Sequence, residues 1–597
     1  MKKRNLLVSL IALFALSGCE VLDNFFAPSE KTPIEEKESK EENNNQIDNN
    51  QNENNNDDEK EDDNHDDGTT DDENQKEELP NHEPPTIKTK VGEFYGGVVE
   101  NENYVGYEFS KSEESISRQK NGKGEIDIYA FNDFHGAVLE TENEVGLKRL
   151  GSFFKAKSQE NNTLILDQGD TWQGSFESNY QYGAIVQDVF NYAGVSLRTV
   201  GNHDFDWGLS HLEETNNRKL GDDYIPCLAS NVFDYENGIN GDIQQSKYGK
   251  EYATFILDNG LKVGVVGVIG SSQITSICSQ LVETICFTNH VEKAKEISDY
   301  LRVEKKCDIV IASTHESSAN MYYSNLSDVS PVSNKRYADL VLSGHAHNKQ
   351  DYTDNGVKFV QWDSNGQSTG LIKLVYDFEN NELIHNETSV ETYYPNYLRT
   401  YYPSINPTIN EMIDDYLEAT TPFAEEVLST NFSGYWSTTN LGNLMCEAIY
   451  DSVKNAGISV DFAVCNYARQ AFNKSEFTFG DLYKCFPFDN QIILMDVSDS
   501  YAQQNIDWNE SYRENTSTVP VPGVPCRIAV IDYLGLHQNE NRQYDKFVGA
   551  TNLEIYKDEN DEPLIYRNIL KDFLLKNSTK QFNSSDYSSS NPHFSVN

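Results

Sequence analysis

Ile126-Asp127-Ile128-Tyr129-Ala130-Phe131-Asn132-Asp133-Phe134-His135 is a short apolar run that ends in a carboxylate and an imidazole two residues apart. Rich in β-branched and aromatic residues and bounded by polar ones, residues 126–131 read as a strand buried on both faces. The pattern recurs downstream. Apolar runs at 163–166, 262–269, 308–312 and 340–342 are separated by helical periodicity such as that of 291–303, and 370–376 closes the series. Strands alternating with helices predict an α/β fold with helices covering the sheets.

Polar clusters stand at the ends of these runs: Asp133-Phe134-His135, Gly169-Asp170, Gly201-Asn202-His203-Asp204-Phe205-Asp206, Thr314-His315-Glu316 and Gly344-His345-Ala346-His347. A single Gly-Asp after a strand is ordinarily a turn, and a single histidine is often a satisfied core residue. Five clusters at the carboxyl ends of strands, where open α/β sheets gather their ligands, are a different signal. Together they supply Asp133, His135, Asp170, Asn202, His315, His345 and His347. Mixed oxygen and imidazole donors suit borderline divalent ions such as Zn, Mn or Fe and suit Mg or Ca poorly. His203 and Asp206 add an imidazole and a carboxylate able to orient it.

The order of these motifs resembles the calcineurin-like metallophosphoesterases. Asn132-Asp133-Phe134-His135-Gly136 and Gly201-Asn202-His203-Asp204-Phe205-Asp206-Trp207-Gly208 are similar to the bacterial 5′-nucleotidase and UDP-sugar hydrolase branch, over about residues 125–575. The resemblance implies an N-terminal four-layer sandwich, with helices flanking two mixed sheets, and a C-terminal α/β substrate-binding domain. It implies two divalent metal ions. Asp133, His135 and His347 would hold one, Asp170 would bridge, and Asn202, His315 and His345 would hold the other. A hydroxide between the ions would attack phosphorus in line, with His203 and Asp206 as the catalytic dyad. Asp204 stands where relatives commonly carry Glu, a departure expected to touch only the surroundings of the ligands.

Outward from this core, the 597-residue chain has room for more than one domain. Lys2, Lys3 and Arg4 precede an apolar run too short to stop in a membrane. The run ends in Leu16-Ser17-Gly18-Cys19, which resembles the bacterial lipobox. Residues 1–18 are therefore expected to be a lipoprotein signal peptide, with Cys19 lipidated and anchoring the chain on the extracytoplasmic side. Residues 19–90 read as a disordered acidic tether. The span 20–90 holds 24 acidic and 7 basic side chains, and the whole chain carries a net charge of −48. Such a field disfavours nucleic acid as a partner. Residues 91–122 form a lead-in with no assigned structure, 123–380 the dimetal domain, 381–418 a connector, 419–577 the second domain and 578–597 a frayed tail. Eight cysteines follow Cys19, with Cys278 and Cys286 the one close pair and no zinc-type spacing among them.

In the second domain, Thr439-Asn440-Leu441-Gly442-Asn443-Leu444, Phe479-Gly480-Asp481-Leu482 and Pro487-Phe488-Asp489-Asn490 are similar to the family's substrate-binding domain, which implies that Phe488 stacks on a nucleobase. Elsewhere the pattern departs. Asn466-Tyr467-Ala468-Arg469 stands for a glycine-rich Asn…Arg segment, residues 431–438 lack the usual basic residues, and Tyr544 is a poor substitute for a second aromatic. Asn466, Arg469, Phe488 and Tyr544 are the substrate-binding candidates. The expected activity is phosphate release from nucleotides. Cyclic nucleotides or nucleotide sugars are the alternative substrates, and a catalytically silent surface binding protein is the alternative of another class. Metal identity and oligomeric state stay open.

Overall fold

The strand Lys123–Phe131 organises the first domain because its alternation divides two cores. Ile126, Ile128 and Ala130 point to one side and Tyr129 and Phe131 to the other, and all five are buried. Thr163–Asp167 pairs with it in parallel and Thr369–Asp377 antiparallel. Leu197–Thr199 and Cys227–Leu228 extend this seven-stranded sheet, both parallel.

The inner face packs against a nine-stranded sheet, whose Val263, Val265, Ile309, Ile311, Leu340 and Leu342 share a core with Ile126, Ile128, Leu164 and Leu166. Helices Leu147–Lys157 and Ala184–Ala193 cover the outer side of the first sheet. Helix His290–Val303 covers the second through Ala294, Ile297 and Leu301. The result is the expected four-layer α/β sandwich. Its parallel strands, including Lys262–Ile269, Ile309–His315 and Leu340–Leu342, end along one rim.

This computed structural model describes residues 89–588, apart from 102, 113, 236–241, 501–509 and 513–522. The signal peptide, Cys19 and nearly all of the acidic tether lie outside the described residues. Among the described residues no helix is long and apolar enough to cross a membrane.

Three segments differ from the expected boundaries. The lead-in 91–122, unassigned from the sequence, contains strands. Thr89–Val91, Phe94–Glu100 and Val105–Ser110 form the edge of the nine-stranded sheet, because Phe94, Tyr107 and Phe109 alternate into its core. The connector 381–418 begins inside the first domain. Ser389–Tyr393 pairs with the strand Thr369–Asp377, and helix Pro407–Ala424 buries Ile409 and Ile413 in the same core as Phe153. That helix starts at Asn406, whose side chain accepts from Thr408 and Ile409 N–H. Within the tail, Phe582 and Tyr587 are buried in the second domain.

The second domain is a five-stranded sheet in the order Glu510–Tyr512, Phe462–Cys465, Cys526–Ile531, Ile492–Val497, Thr551–Ile555. Helices Thr438–Asn455 and Tyr566–Lys576 pack on it. The first of these opens with a capping box between Ser437 and Asn440, so Asn440 of the Asn-Leu-Gly motif has a local structural role. All eight cysteines after Cys19 are unpaired, Cys278 and Cys286 included, and all but Cys286 are buried.

Candidate metal centre and active site

Each cluster follows the end of a strand, so backbone geometry brings distant residues to one place. Asp133, His135, Asp170 and His347 present ligand atoms within 4.8 Å of one another, and Asp170, His315 and His345 do likewise. Asp170 belongs to both groups. Asn202 joins the second, its Oδ1 lying 3.1 Å from His315 Nε2 and 3.0 Å from His345 Nδ1.

Five of these seven residues, Asp133, His135, Asp170, His345 and His347, have φ between 48° and 72°. This left-handed conformation costs a non-glycine residue about 1–2 kcal/mol, and runs of it mark sites where surrounding structure overrides local preference. The turns are held by hydrogen bonds. The His345 N–H donates to both oxygens of Asp133, at 3.1 and 2.9 Å, and the His203 N–H donates to Asp170 Oδ1 at 2.8 Å. Gly201 cannot carry a side chain, because a Cβ there would lie 2.2 Å from Asp170 Oδ1.

The hydrogen-bond pattern tests whether cations fit. His135 Nδ1 faces the Gln173 carbonyl at 2.8 Å, and His315 Nδ1 faces the Gln168 carbonyl at 2.7 Å. A carbonyl only accepts, so both rings carry a proton on Nδ1 and turn Nε2 inward. His135 Nε2 and His347 Nε2 meet at 3.0 Å, and the buried Asp170 Oδ2 lies 3.2 Å from His315 Nε2. Imidazole nitrogens and carboxylate oxygens turned toward one another in this way fit divalent cations.

Electrostatics agree. Burial, reinforced by His347, pushes His135 down to about 3, and burial with His315 pushes His345 down to about 4, so both are neutral ligands at pH 7. Burial opposes charge on Asp170 as well, but His315 and His203 outweigh it and hold the carboxyl well below its usual range. For His315, burial is outweighed by Asp170 and Asp133, which lift it to about 10. A cation at Nε2 would displace that proton.

His203 and Asp206 form a separate pair, with Nδ1 donating to Asp206 Oδ2 at 2.7 Å. Burial disfavours the imidazolium, yet Asp206 and Asp170 raise His203 above its ordinary value. Its ring lies 5.4 Å from that of His135, so the dyad borders the cluster.

Asp204 does more than adjust the surroundings of the ligands. Its Oδ2 accepts from Gly201 N–H at 2.8 Å and Oδ1 from Thr171 N–H at 3.2 Å, tying together the loops that carry Asn202 and Asp170. Arg198 neutralises it at 2.7 Å with both side chains buried, and stacks 3.9 Å from the centroid of the Trp172 ring. Sequence reading missed Arg198. The available signal was a charge inside the apolar run Val195-Ser196-Leu197-Arg198-Thr199-Val200, which requires a buried partner.

From the second domain, Phe488 reaches the dyad. Its ring stacks on His203 at 5.5 Å between centroids and 22° between planes. The Arg469 guanidinium lies 5.3 Å from the same ring. Asn466 is partly buried at the end of the strand Phe462–Cys465, in the same loop as Arg469. Tyr544 is half exposed on a turn paired with Gln538. The Tyr533 ring lies 5.8 Å from that of His537. Gln173, Asn179 and Arg567, also missed in the sequence, contact the Phe488 loop directly.

A two-sheet sandwich thus gathers Asp, Asn and His side chains that could hold cations at its strand ends. Residues 126–349 match the family described as calcineurin-like phosphoesterase, and residues 419–564 match the 5′-nucleotidase C-terminal domain. The chain thus carries a calcineurin-like phosphoesterase domain followed by a 5′-nucleotidase C-terminal domain. It is 23% identical to the endonuclease YhcR of Bacillus subtilis over 57% of this chain and 28% of that protein. It is also 24% identical to the protein UshA of Yersinia enterocolitica, over 57% of this chain and 67% of UshA. The chain thus spans under a third of the length of YhcR. A 5′-nucleotidase precursor from Thermus thermophilus shares the fold, with a TM-score of 0.60 at 15% identity over 76% of this chain and 97% of that one.

Proposed function

We propose that this chain is an extracytoplasmic dimetal phosphohydrolase, anchored through Cys19, that releases phosphate from nucleotides. The observation carrying this reading is the convergence of Asp133, His135, Asp170, Asn202, His315, His345 and His347, bordered by the His203–Asp206 pair and capped by Phe488. Asp133, His135 and His347 would hold one cation, Asn202, His315 and His345 the second, and Asp170 would bridge. When bound, such ions lower the pKa of water towards neutrality and withdraw charge from phosphoryl oxygens.

The chain's own groups do the rest. Asp206 fixes His203 with its proton on Nδ1, which leaves Nε2 to hold or give up a proton at the leaving ester oxygen. Phe488 offers an apolar face to a planar leaving group. Arg469, beside that face, supplies the one positive charge of the eroded segment 466–469. Phosphoester cleavage would place charge on the leaving oxygen, which His203 would meet.

The test is turnover by the purified chain loaded with Mn, Zn or Co, across nucleoside 5′-monophosphates, 2′,3′-cyclic nucleotides, nucleotide sugars and single-stranded DNA. Nucleoside monophosphates should be preferred, and Asp170→Asn or His203→Ala should lower kcat by about 10²–10⁴. A metal-loaded chain that turns over none of these would overturn the reading in favour of a surface binding protein.

A further inference from the structure

We propose that Gln173 and Asn179 are positioning residues that seat Phe488 on His203 by gripping one backbone carbonyl across the domain boundary. Gln173 Nε2 donates to the Pro487 carbonyl at 3.1 Å, and Asn179 Nδ2 donates to the same oxygen at 3.1 Å. Both side chains are buried. Proline has no N–H, so this carbonyl is the only backbone polar group through which residue 487 can be held. The amide of Asn179 has one orientation, because its Oδ1 accepts from the Gly174 N–H at 2.8 Å and leaves Nδ2 for Pro487.

The neighbouring carbonyls are held from the other side. Arg567, buried on helix Tyr566–Lys576, donates Nη1 to the Phe486 carbonyl at 3.1 Å and to the Phe488 carbonyl at 2.7 Å. Its guanidinium lies 3.7 Å from the centroid of the Tyr483 ring and pairs with Asp489. Three successive carbonyls are thus fixed, the outer two by their own domain and the middle one by the first domain. Arg567 makes the loop rigid, and the grip on Pro487 decides where the rigid loop, with its aromatic ring, comes to rest.

Gln173 also joins the two halves of the site. Its own carbonyl accepts from His135 Nδ1 at 2.8 Å, while its side chain holds Pro487. One residue therefore sets the tautomer of a candidate metal ligand and the place of the aromatic face. The functional consequence rests on the reading of Phe488 as the face that takes a planar leaving group. It predicts that the grip matters for a substrate with a ring and little for one without.

The experiment uses the full chain with Gln173→Met and Asn179→Asp, singly and together. Both substitutions keep the side-chain shape and remove the donor, and the carboxylate introduced by Asn179→Asp would still accept from the Gly174 N–H. KM is measured for adenosine 5′-monophosphate and for glycerol 2-phosphate, which has no ring. With both donors gone, the ratio of the two KM values should rise about tenfold, with kcat for the nucleotide changing far less. Equal rises in both KM values, or none, would overturn the positioning role. Hydrogen exchange on the metal-free chain gives a reading independent of substrate: the amides of Phe488 and Asp489 should exchange faster in the double variant, while helix Tyr566–Lys576 keeps its protection. Unchanged exchange at Phe488 and Asp489 would overturn the grip itself. If the unsubstituted chain fails on nucleotides while the exchange result holds, the substrate reading alone falls.

Discussion

Replacing Arg198 by Met should destabilise the fold strongly. Arg198 and Asp204 pair at 2.7 Å with both side chains buried, and Arg198 also hydrogen-bonds Asn216 and contacts Cys227 Sγ at 3.3 Å. Methionine matches the aliphatic stem and can still contact Trp172, so the volume change is small. What is lost is the cation. Asp204 would be left charged in a dry interior, or would have to take up a proton. Removing one partner of a buried pair costs about 3–5 kcal/mol, whereas removing both is often nearly neutral.

Urea denaturation of Arg198→Met should show a loss in that range, and Arg198→Met with Asp204→Asn should recover most of it. The single variant has a pH signature too. Burial already raises Asp204 above the ordinary carboxyl value against the pull of Arg198. Without Arg198 the folded state binds that proton more tightly still. Stability of the variant, relative to the unsubstituted chain, should be best below about pH 4 and should fall as pH rises through the new folded pKa. A single variant within about 1 kcal/mol of the parent across this range would refute the reasoning, because it would mean that water or another cation reaches Asp204.

Glu510 in the second domain is pushed up to about 7 by burial, against a hydrogen bond from Thr439, so the parent should lose stability between about pH 4.5 and 7. Glu510→Gln should flatten that slope and be the more stable form at about pH 8, by at most about 3 kcal/mol in thermal or urea unfolding. Chelation should lower Tm, and Mn or Zn at about a hundred times its Kd should restore about 2.7 kcal/mol; Asp170→Asn should remove most of that metal response. Phe488→Ala should raise the KM for nucleoside monophosphates by about five- to a hundredfold, the worth of one aromatic stack, while metal content measured on the purified protein stays the same.

The candidate metal ligands were legible because their signals are local. Asp133-Phe134-His135 and Gly344-His345-Ala346-His347 end apolar runs, and a strand end followed by metal-binding side chains can be read without knowing which strands are neighbours. Phe488 was legible through its Pro-Phe-Asp-Asn motif. The edge strands within 89–110 were not read, because their Gly-rich, mixed-polarity sequence becomes strand only beside Tyr252–Ile256. The strand Ser389–Tyr393 was read as connector for the same reason: its pairing partner lies elsewhere in the chain. Tyr544 came from the resemblance, as a poor substitute for a second aromatic, and a resemblance does not say which way a loop turns.

By itself the sequence determined the α/β alternation, the donor chemistry and the two-domain plan, since periodicity, ligand type and composition are properties of residues and their near neighbours. Only the tertiary structure decided that Arg198 neutralises Asp204 and that Gln173 and Asn179 hold Pro487. Those relations join residues up to 314 positions apart. Whether such groups meet depends on how the sheets stack and the domains dock, which no local pattern encodes.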